Sequence, residues 1–195
     1  MIFFTSDTHF GHKNVVHLCH RPFESVQEMD AVIIKNWNEA VAPDDTVYVL
    51  GDFAYKHSHS LGSYVKQLNG HVHLILGNHD KSPIELYRSL FESVQDILYL
   101  KVDGLKEEIA LFHYPILSWK RRGKGAWHLY GHVHERLLPT MESQVAYNVG
   151  VDTNGFCPIS LEQLKPIMQQ REASYEEKGS RAVKTGSSEI TPPVM

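Results

Sequence analysis

The sequence has few cysteines, no long apolar run and no excess of positive charge. Its 195 residues contain only Cys19 and Cys157, too few for a zinc ribbon, and a chain of this length needs no disulfide for stability. No segment approaches the roughly 20 apolar residues of a membrane helix, and the first residues lack the basic region of a signal peptide. We therefore expect a soluble, cytoplasmic protein with free thiols and no membrane association.

The charge balance is mildly acidic, with a formal net charge of −4. Domains that coat nucleic acid electrostatically are usually basic, so this balance argues against such a protein. The apolar and charged fractions, 42% and 22%, are ordinary for a globular protein. We expect one domain over residues 1–170. The polar composition of residues 171–195 predicts a largely disordered tail.

Hydrophobic patterning divides the domain into two halves. The first half alternates predicted strands at 2–6, 46–50 and 72–76 with predicted helices at 25–40, 60–68 and 83–91. The second half has strands at 94–102, 107–112, 127–130 and 145–149, and a last helix capped by Ser160 and interrupted at Pro166. Alternating strands and helices are typical of parallel βαβ units, and the strand-rich half indicates a second, mixed sheet. We expect a mixed α/β fold of two sheets packed face to face with helices outside.

Polar side chains follow most of these predicted strands, at the point where each strand ends. They are Asp7, His9, Asp52, Asn78, His79, His113, His132 and His134. Ligands of open α/β sheets bind at the carboxyl ends of the strands, so these donors should converge. Mixed oxygen and imidazole donors suit Mn, Fe, Zn, Co or Ni better than Mg or Ca. Each motif alone could be turn chemistry, but their joint order predicts a metal site.

The same segments resemble the motifs of the calcineurin-like metallophosphoesterase superfamily, in its small single-domain form found in bacteria and phages. The matching segments are Ser6-Asp7-Thr8-His9, Leu50-Gly51-Asp52, Leu76-Gly77-Asn78-His79-Asp80, Phe112-His113-Tyr114-Pro115 and Tyr130-Gly131-His132-Val133-His134. They span most of the chain and leave the tail uncovered. The resemblance implies a four-layer αββα sandwich and two divalent metal ions, with Mn preferred and Fe, Zn, Ni or Co as alternatives. It assigns Asp7, His9, Asp52 and His134 to one ion, and Asp52, Asn78, His113 and His132 to the other.

Such a centre predicts hydrolysis of phosphate mono- or diesters by a hydroxide that bridges the two ions. Asp52 and Asn78 take part as ligands. His79 is adjacent to Asn78 but is not itself a predicted ligand, so we expect it to act as the general acid that protonates the leaving oxygen, as the resemblance also suggests. The alternative is that His79 only supports the ligands by hydrogen bonding. Asp80 either orients His79 or, the slightly favoured reading, caps the next helix.

Four further side chains are candidates for substrate contacts: His12, Arg21, Arg121 and Arg122. His12 and Arg21 could reach a substrate phosphate, and their alternatives are an ordinary loop histidine and a surface ion pair. Arg121 and Arg122 belong to a basic cluster that could recruit a polyanion or simply form a solvated loop. The expected substrate is a small phosphorylated molecule or a nucleotide. A nuclease, a cyclic-nucleotide phosphodiesterase and a non-catalytic scaffold are the alternatives, and the sequence predicts no oligomeric state.

Overall fold

The computed structural model describes residues 1–55, 61–80, 88–136, 138–142 and 144–185. The described strands are β1 (Ile2–Thr5), β2 (Thr46–Leu50), β3 (His71–Ile75), β4 (Ser93–Gln95), β5 (Ile97–Leu100), β6 (Ile109–Phe112), β7 (Trp127–Tyr130), β8 (Ala146–Asn148) and β9 (Ile159–Ser160). The described α-helices are α1 (Lys13–Leu18), α2 (Val26–Ala40), α3 (Leu61–Val65), α4 (Pro139–Glu142) and α5 (Leu161–Thr185). None of these helices is long and apolar enough to cross a bilayer.

The strands form two mixed sheets. The first sheet has the order β4-β3-β2-β1-β9, in which β9 alone is antiparallel to its neighbour. The second sheet has the order β5-β6-β7-β8, in which β5 is antiparallel to β6 and the other pairs are parallel. Parallel neighbours end at the same edge of a sheet, so the loops that follow β1, β2, β3, β6 and β7 can meet there.

Successive side chains of the first sheet point into two different cores. Phe3, Val47 and Leu74 pack with Ile33 and Trp37 of α2 on one face. Their chain neighbours Phe4, Tyr48 and Ile75 pack with Ile109, Leu111 and Leu129 of the second sheet on the other face. Trp119 and Met141 cover the outer face of the second sheet. This alternation, with a period of two, gives the expected mixed α/β fold of two sheets between outer layers.

The structure confirms most of the predicted helices and strands and differs from the prediction in three places. The predicted strand at 94–102 is two strands, β4 and β5, which belong to different sheets because the chain crosses between the sheets at Asp96. Helix α5 continues through Pro166 instead of breaking there. It also includes residues 171–185, which composition assigns to a disordered tail. The helix predicted at 83–91 lies mostly outside the described residues, as does the rest of the tail.

Serine side chains cap α2 and α5, and Ser160 forms a complete capping box with Gln163. The Ser25 hydroxyl accepts a hydrogen bond from the backbone of Glu28 at 3.1 Å, before the first turn of α2. The Ser160 hydroxyl accepts one from the backbone of Gln163 at 3.2 Å, and the Gln163 side chain accepts one from the Ser160 backbone at 2.9 Å. These bonds satisfy amide groups that lack partners within the helix, which explains where α2 and α5 begin.

His128 is buried on the outer face of the second sheet, against the ring of Trp119. Its Nδ1 lies 3.1 Å from the Ala110 carbonyl oxygen, and its Nε2 accepts a hydrogen bond from the Ile116 backbone at 3.3 Å. Burial lowers the pKa of His128 to about 4, because the core disfavours the charged ring more strongly than hydrogen bonds to the backbone of Ala110 and Tyr114 favour it.

We expect His128 to make the fold less stable in acid. Between pH 6.5 and pH 4, His128 is protonated in the unfolded chain but remains neutral in the folded chain. The free energy of unfolding therefore falls as the pH drops from the ordinary histidine pKa of about 6.5 towards 4. The full difference is about 3 kcal/mol, and urea unfolding at pH 7 and pH 4.5 should show most of it. His128→Gln should flatten this pH dependence, whereas His71→Gln, at an exposed position, should not. Equal acid sensitivity in wild type and His128→Gln would contradict the prediction.

Candidate metal centre

The loops that follow five strands meet at one edge of the two sheets. Asp7 and His9 follow β1, Asp52 follows β2, and Asn78 and His79 follow β3. From the second sheet, His113 follows β6, and His132 and His134 follow β7. The structure therefore brings together all the side chains that the sequence predicts as metal ligands, together with the predicted acid His79.

Donor atoms in this cluster form three groups whose members lie within 4.8 Å of one another. The groups are Asp7, His9 and His134; Asp52, His113 and His132; and His9, Asp52 and His79. The first two fall within the two ligand sets that the resemblance implies. Asp52 links them, since its Oδ2 lies 3.6 Å from His9 Nε2 and 3.5 Å from His113 Nε2. Asn78 joins the second group, with its Oδ1 3.2 Å from His113 Nε2.

His9 shows that this donor set fits a cation. Within the described part of the chain, its buried Nε2 has no hydrogen-bond partner, although Asp52 and His79 surround it. Burial and the nearby charge of Arg21 hold the pKa of His9 well below its usual range, so the ring is neutral. A neutral imidazole with a buried free lone pair, facing a carboxylate, is the state in which histidine binds a metal.

Hydrogen bonds at Nδ1 orient the rings of His113 and His134 so that Nε2 of each ring faces the cluster. His113 Nδ1 lies 2.7 Å from the Leu50 carbonyl oxygen and donates to it, so Nε2 faces Asn78 and Asp52. His134 Nδ1 likewise lies 2.7 Å from Asp152 Oδ2. Metal-binding histidines commonly donate their other ring N–H to such a partner, which fixes the ring orientation.

Backbone strain concentrates on the same residues. Eight described residues other than glycine have a positive φ. Five of them are predicted metal ligands: Asp7 (57°), His9 (50°), Asp52 (54°), His132 (71°) and His134 (50°). A left-handed backbone costs such residues about 1–3 kcal/mol each, and strain of this kind clusters at functional sites. The strain is an argument for function that does not depend on the donor atoms.

Two glycines allow the loops to approach the carboxylates closely. A Cβ on Gly77 would collide with the Asp52 carboxylate and lie 2.5 Å from its backbone nitrogen. A Cβ on Gly131 would collide with the Ser6 hydroxyl and the Asp7 carboxylate. The two glycines that precede Asn78 and His132 are therefore needed so that loops from different strands can pack around the shared donors.

Gly77→Ala should displace the Asp52 carboxylate and lower metal binding by at least about tenfold, since the supporting contacts of a metal ligand typically change affinity by that much. Gly123→Ala is the matched control, because a Cβ there meets nothing within 4 Å. Metal titration of the two variants measures the effect. Wild-type affinity in Gly77→Ala would show that the close approach of the two loops is not required.

Asp80 has a structural role that the sequence does not indicate. Its buried carboxylate accepts hydrogen bonds from the backbone of Gly77 (2.8 Å), Asp52 (2.8 Å) and Phe53 (3.0 Å). Burial raises its pKa to about 6. The carboxylate thus ties the loop after β2 to the loop after β3. The sequence predicts that Asp80 orients His79 or caps the next helix. The first residues of that helix lie outside the described part of the chain.

Arg21 is a buried residue whose guanidinium binds other groups of the protein, which does not favour the predicted contact with a substrate phosphate. Its guanidinium donates to both carboxylate oxygens of Asp152, at 2.7 and 2.9 Å. It also donates to the backbone oxygens of Asp7 (2.6 Å) and Thr8 (3.1 Å). No sequence motif marks Asp152, which follows β8 in a short 3-10 turn.

The Asp152 carboxylate joins Arg21 to His134 while being only 1% exposed itself. Burial alone would lower the pKa of His134. The hydrogen bond to Asp152, with further contributions from Cys19 and the charge of Asp7, instead raises the pKa to about 10. The carboxylate therefore fixes which nitrogen of His134 faces the cluster, and Arg21 holds the carboxylate in place.

Asp152→Asn should weaken metal binding about 10–100-fold, because the amide no longer supports the His134 ring as a charged acceptor. Asp44→Asn, at an exposed position, is the matched control. Metal affinity of each variant, from competition with a fluorescent chelator, measures the effect. An unchanged affinity in Asp152→Asn would mean that His134 needs no such support.

An open cavity of about 380 Å³ is lined by six side chains of the cluster: His9, Asp52, Asn78, His79, His132 and His134. His12 also lines it and stacks on Tyr55 with ring centroids 4.4 Å apart, which agrees with a substrate contact. Arg121 and Arg122 do not line the cavity. They bind Glu107 and Gln144 instead, so a role for them in the site is not supported. Arg136, which no sequence motif marks, also lines the cavity.

Comparisons with known proteins identify relatives without an assigned activity. No family model matches the chain. The uncharacterised protein MJ1445 of Methanocaldococcus jannaschii is 32% identical over 175 residues, which cover 87% of this chain and 92% of that protein. A protein of unknown function from Aquifex aeolicus, AQ665, has a crystal structure with a TM-score of 0.70 and 28% identity, covering 86% of this chain and 98% of that one. A novel archaeal phosphodiesterase is more distant, with a TM-score of 0.44 and 21% identity over 76% of this chain and 82% of that one, too low to bear on the reaction.

Proposed function

We propose that this chain, which belongs to one family with the M. jannaschii protein MJ1445, is a metal-dependent phosphoesterase of the calcineurin-like type. The observation that carries the proposal is the convergence of carboxylate and imidazole donors around Asp52, with the buried Nε2 of His9 left without a hydrogen bond among the described residues. The neutral ring of His9, together with the rings of His113 and His134 that hydrogen bonds orient beside a buried carboxylate, is suited to holding cations.

Two divalent ions would occupy the cluster. Asp7, His9, Asp52 and His134 would hold one ion, and Asp52, Asn78, His113 and His132 would hold the other. When bound, the ions lower the pKa of water to near neutrality and offset the negative charge of a phosphoryl group. We propose Mn as the bound metal, with Fe, Zn, Ni and Co as alternatives, since a mixture of oxygen and imidazole donors accepts each of them.

The position of His79 supports its proposed role as the general acid. Its backbone N–H donates to Asp52 Oδ1 at 2.9 Å, which fixes the residue beside the cluster. Its ring is 33% exposed and lines the cavity, with Nε2 4.0 Å from Asp52 Oδ2. A partly exposed imidazole can take a proton from solvent and give it to the leaving oxygen of an ester, which neutral buried ligands cannot do.

The substrate of the proposed reaction is a small phosphorylated molecule or a nucleotide. The cavity is open, so the described residues leave room for either a monoester or a diester. His12, stacked on Tyr55, is the proposed contact to the phosphoryl group. A nuclease recruited by the basic cluster is less favoured, because Arg121 and Arg122 already bind neighbouring side chains.

A panel of phosphate esters tests the proposal. Protein stripped of metal and reloaded with Mn should hydrolyse 4-nitrophenyl phosphate, bis(4-nitrophenyl) phosphate or both, and chelator should abolish the reaction until Mn is restored. The ratio of the two rates assigns the enzyme as a monoesterase or a diesterase. Hydrolysis of neither ester by protein shown to contain metal would favour the non-catalytic scaffold.

A further inference from the structure

A second cavity, of about 140 Å³, adjoins the metal centre on the side of the second sheet. Tyr130 at the end of β7 and Tyr147 and Asn148 in β8 line it. The Asn148 side chain donates a hydrogen bond to the His134 backbone oxygen at 2.8 Å, so the wall of this cavity is fixed to a residue of the metal cluster. Its volume equals roughly four or five waters, enough for one small anionic group.

Two arginines give this cavity a positive charge. Arg171 of α5 is held by a hydrogen bond to the Ala146 carbonyl oxygen and by stacking over the Tyr147 ring, at 5.3 Å from its centroid. A guanidinium has five N–H donors, and this one keeps others for a ligand. Arg136 makes no side-chain hydrogen bond or ion pair with any residue that the structure describes. Glu135 is the one carboxylate among the described lining residues, so the lining keeps a net positive charge.

Arg136 lines both cavities. A molecule with a phosphoryl group at the metal centre would therefore pass this guanidinium before reaching Arg171. Arginine binds phosphate through two parallel N–H groups and is poorly suited to a neutral or cationic group. The chemistry that matches the second cavity is a second phosphate.

We propose that the second cavity binds a phosphate other than the one that is hydrolysed, so that the preferred substrates carry two phosphate groups, as a nucleoside bisphosphate or the end of an oligonucleotide does. This proposal rests on the proposed function for the position of the reacting phosphate. It assigns Arg136 and Arg171 to substrate recognition.

Binding without turnover tests the second cavity separately. Isothermal titration calorimetry compares thymidine 3′,5′-bisphosphate with thymidine 5′-phosphate on Mn-loaded His79→Ala, in which turnover of these alkyl esters should be slow enough to measure binding. The bisphosphate should bind about tenfold more tightly, as expected for one added charge-assisted contact. Arg136→Gln and Arg171→Gln should each reduce this preference to below about twofold. Arg121→Gln is the matched control, since it removes the same charge outside both cavities.

Turnover of the matching 4-nitrophenyl esters separates this proposal from the proposed function. Hydrolysis with no preference for the second phosphate would overturn the second cavity and leave the enzyme assignment intact. A binding preference for the bisphosphate without hydrolysis of any ester would support the second cavity and overturn the enzyme assignment. An equal loss of preference in Arg121→Gln would overturn the proposal by showing that net charge alone is responsible. Because Arg171 also contacts β8, Arg136→Gln decides the outcome if Arg171→Gln lowers the Tm.

Discussion

Asp52→Asn is expected to lower turnover by at least about a thousandfold, because a metal centre contributes several kcal/mol to stabilising the transition state. Asp52 is the only carboxylate in the group formed with His113 and His132, and it also lies beside His9. Its side chain is 3% exposed, so water cannot replace it as an oxygen donor. Asparagine keeps the shape but loses the charge that would link two cations. Bound metal should fall from two ions to one or fewer per chain.

Two measurements separate loss of the centre from loss of the fold. Metal content by mass spectrometry should fall in Asp52→Asn, while near-ultraviolet circular dichroism stays like that of the wild type. Asp103→Asn, at an exposed turn, is the matched control and should keep both metal and activity. If Asp52→Asn bound two ions and hydrolysed esters at the wild-type rate, a shared carboxylate would be excluded.

His79→Ala should reduce turnover of an alkyl phosphate by about a hundredfold to a thousandfold, which is the usual contribution of a general acid. The metal content should stay constant. The loss should depend on the leaving group. An alkyl phosphate releases a strongly basic alkoxide that needs a proton, whereas 4-nitrophenolate leaves without one. We therefore expect a large loss on an alkyl ester and a small loss on 4-nitrophenyl phosphate.

The alternatives for His79 give different results. If His79 is a metal ligand, as its position near His9 and Asp52 would allow, the substitution should release metal and slow both esters alike. If it only supports the ligands, metal affinity should fall with little dependence on the leaving group. His71→Ala is the matched control, because that imidazole is exposed and binds Glu92 at 3.1 Å.

The sequence predicts the fold well where local signals agree with packing. Helix α2 follows from the N-cap at Ser25 and an apolar face that includes Met29 and Ile33, and both features are present. The single strand predicted at 94–102 is wrong at Asp96, because the apolar pattern of a sequence does not show that its two parts belong to different sheets. Composition fails for residues 171–185, because a polar helix such as the end of α5 has the same residues as a disordered segment.

The sequence predicts the centre of the site better than its surroundings. Asp7, Asp52 and His113 follow strands, and parallel strands place such residues at one edge. Asp80, Asp152 and Arg136 act through tertiary contacts with residues distant in the chain or through shared cavities, and no local pattern identifies them. Arg21 shows the same limit, since a buried arginine bound to Asp152 looks like a surface arginine in sequence.

Titration of the metal-free protein with Mn, followed by bound metal and ester hydrolysis in the same sample, tests the two-ion centre most directly. The arrangement around Asp52 predicts that hydrolysis is absent without metal and reaches its maximum at two ions per chain. Hydrolysis that persists in chelator, or no hydrolysis of any phosphate ester when two ions are bound, would contradict a metal-dependent phosphoesterase.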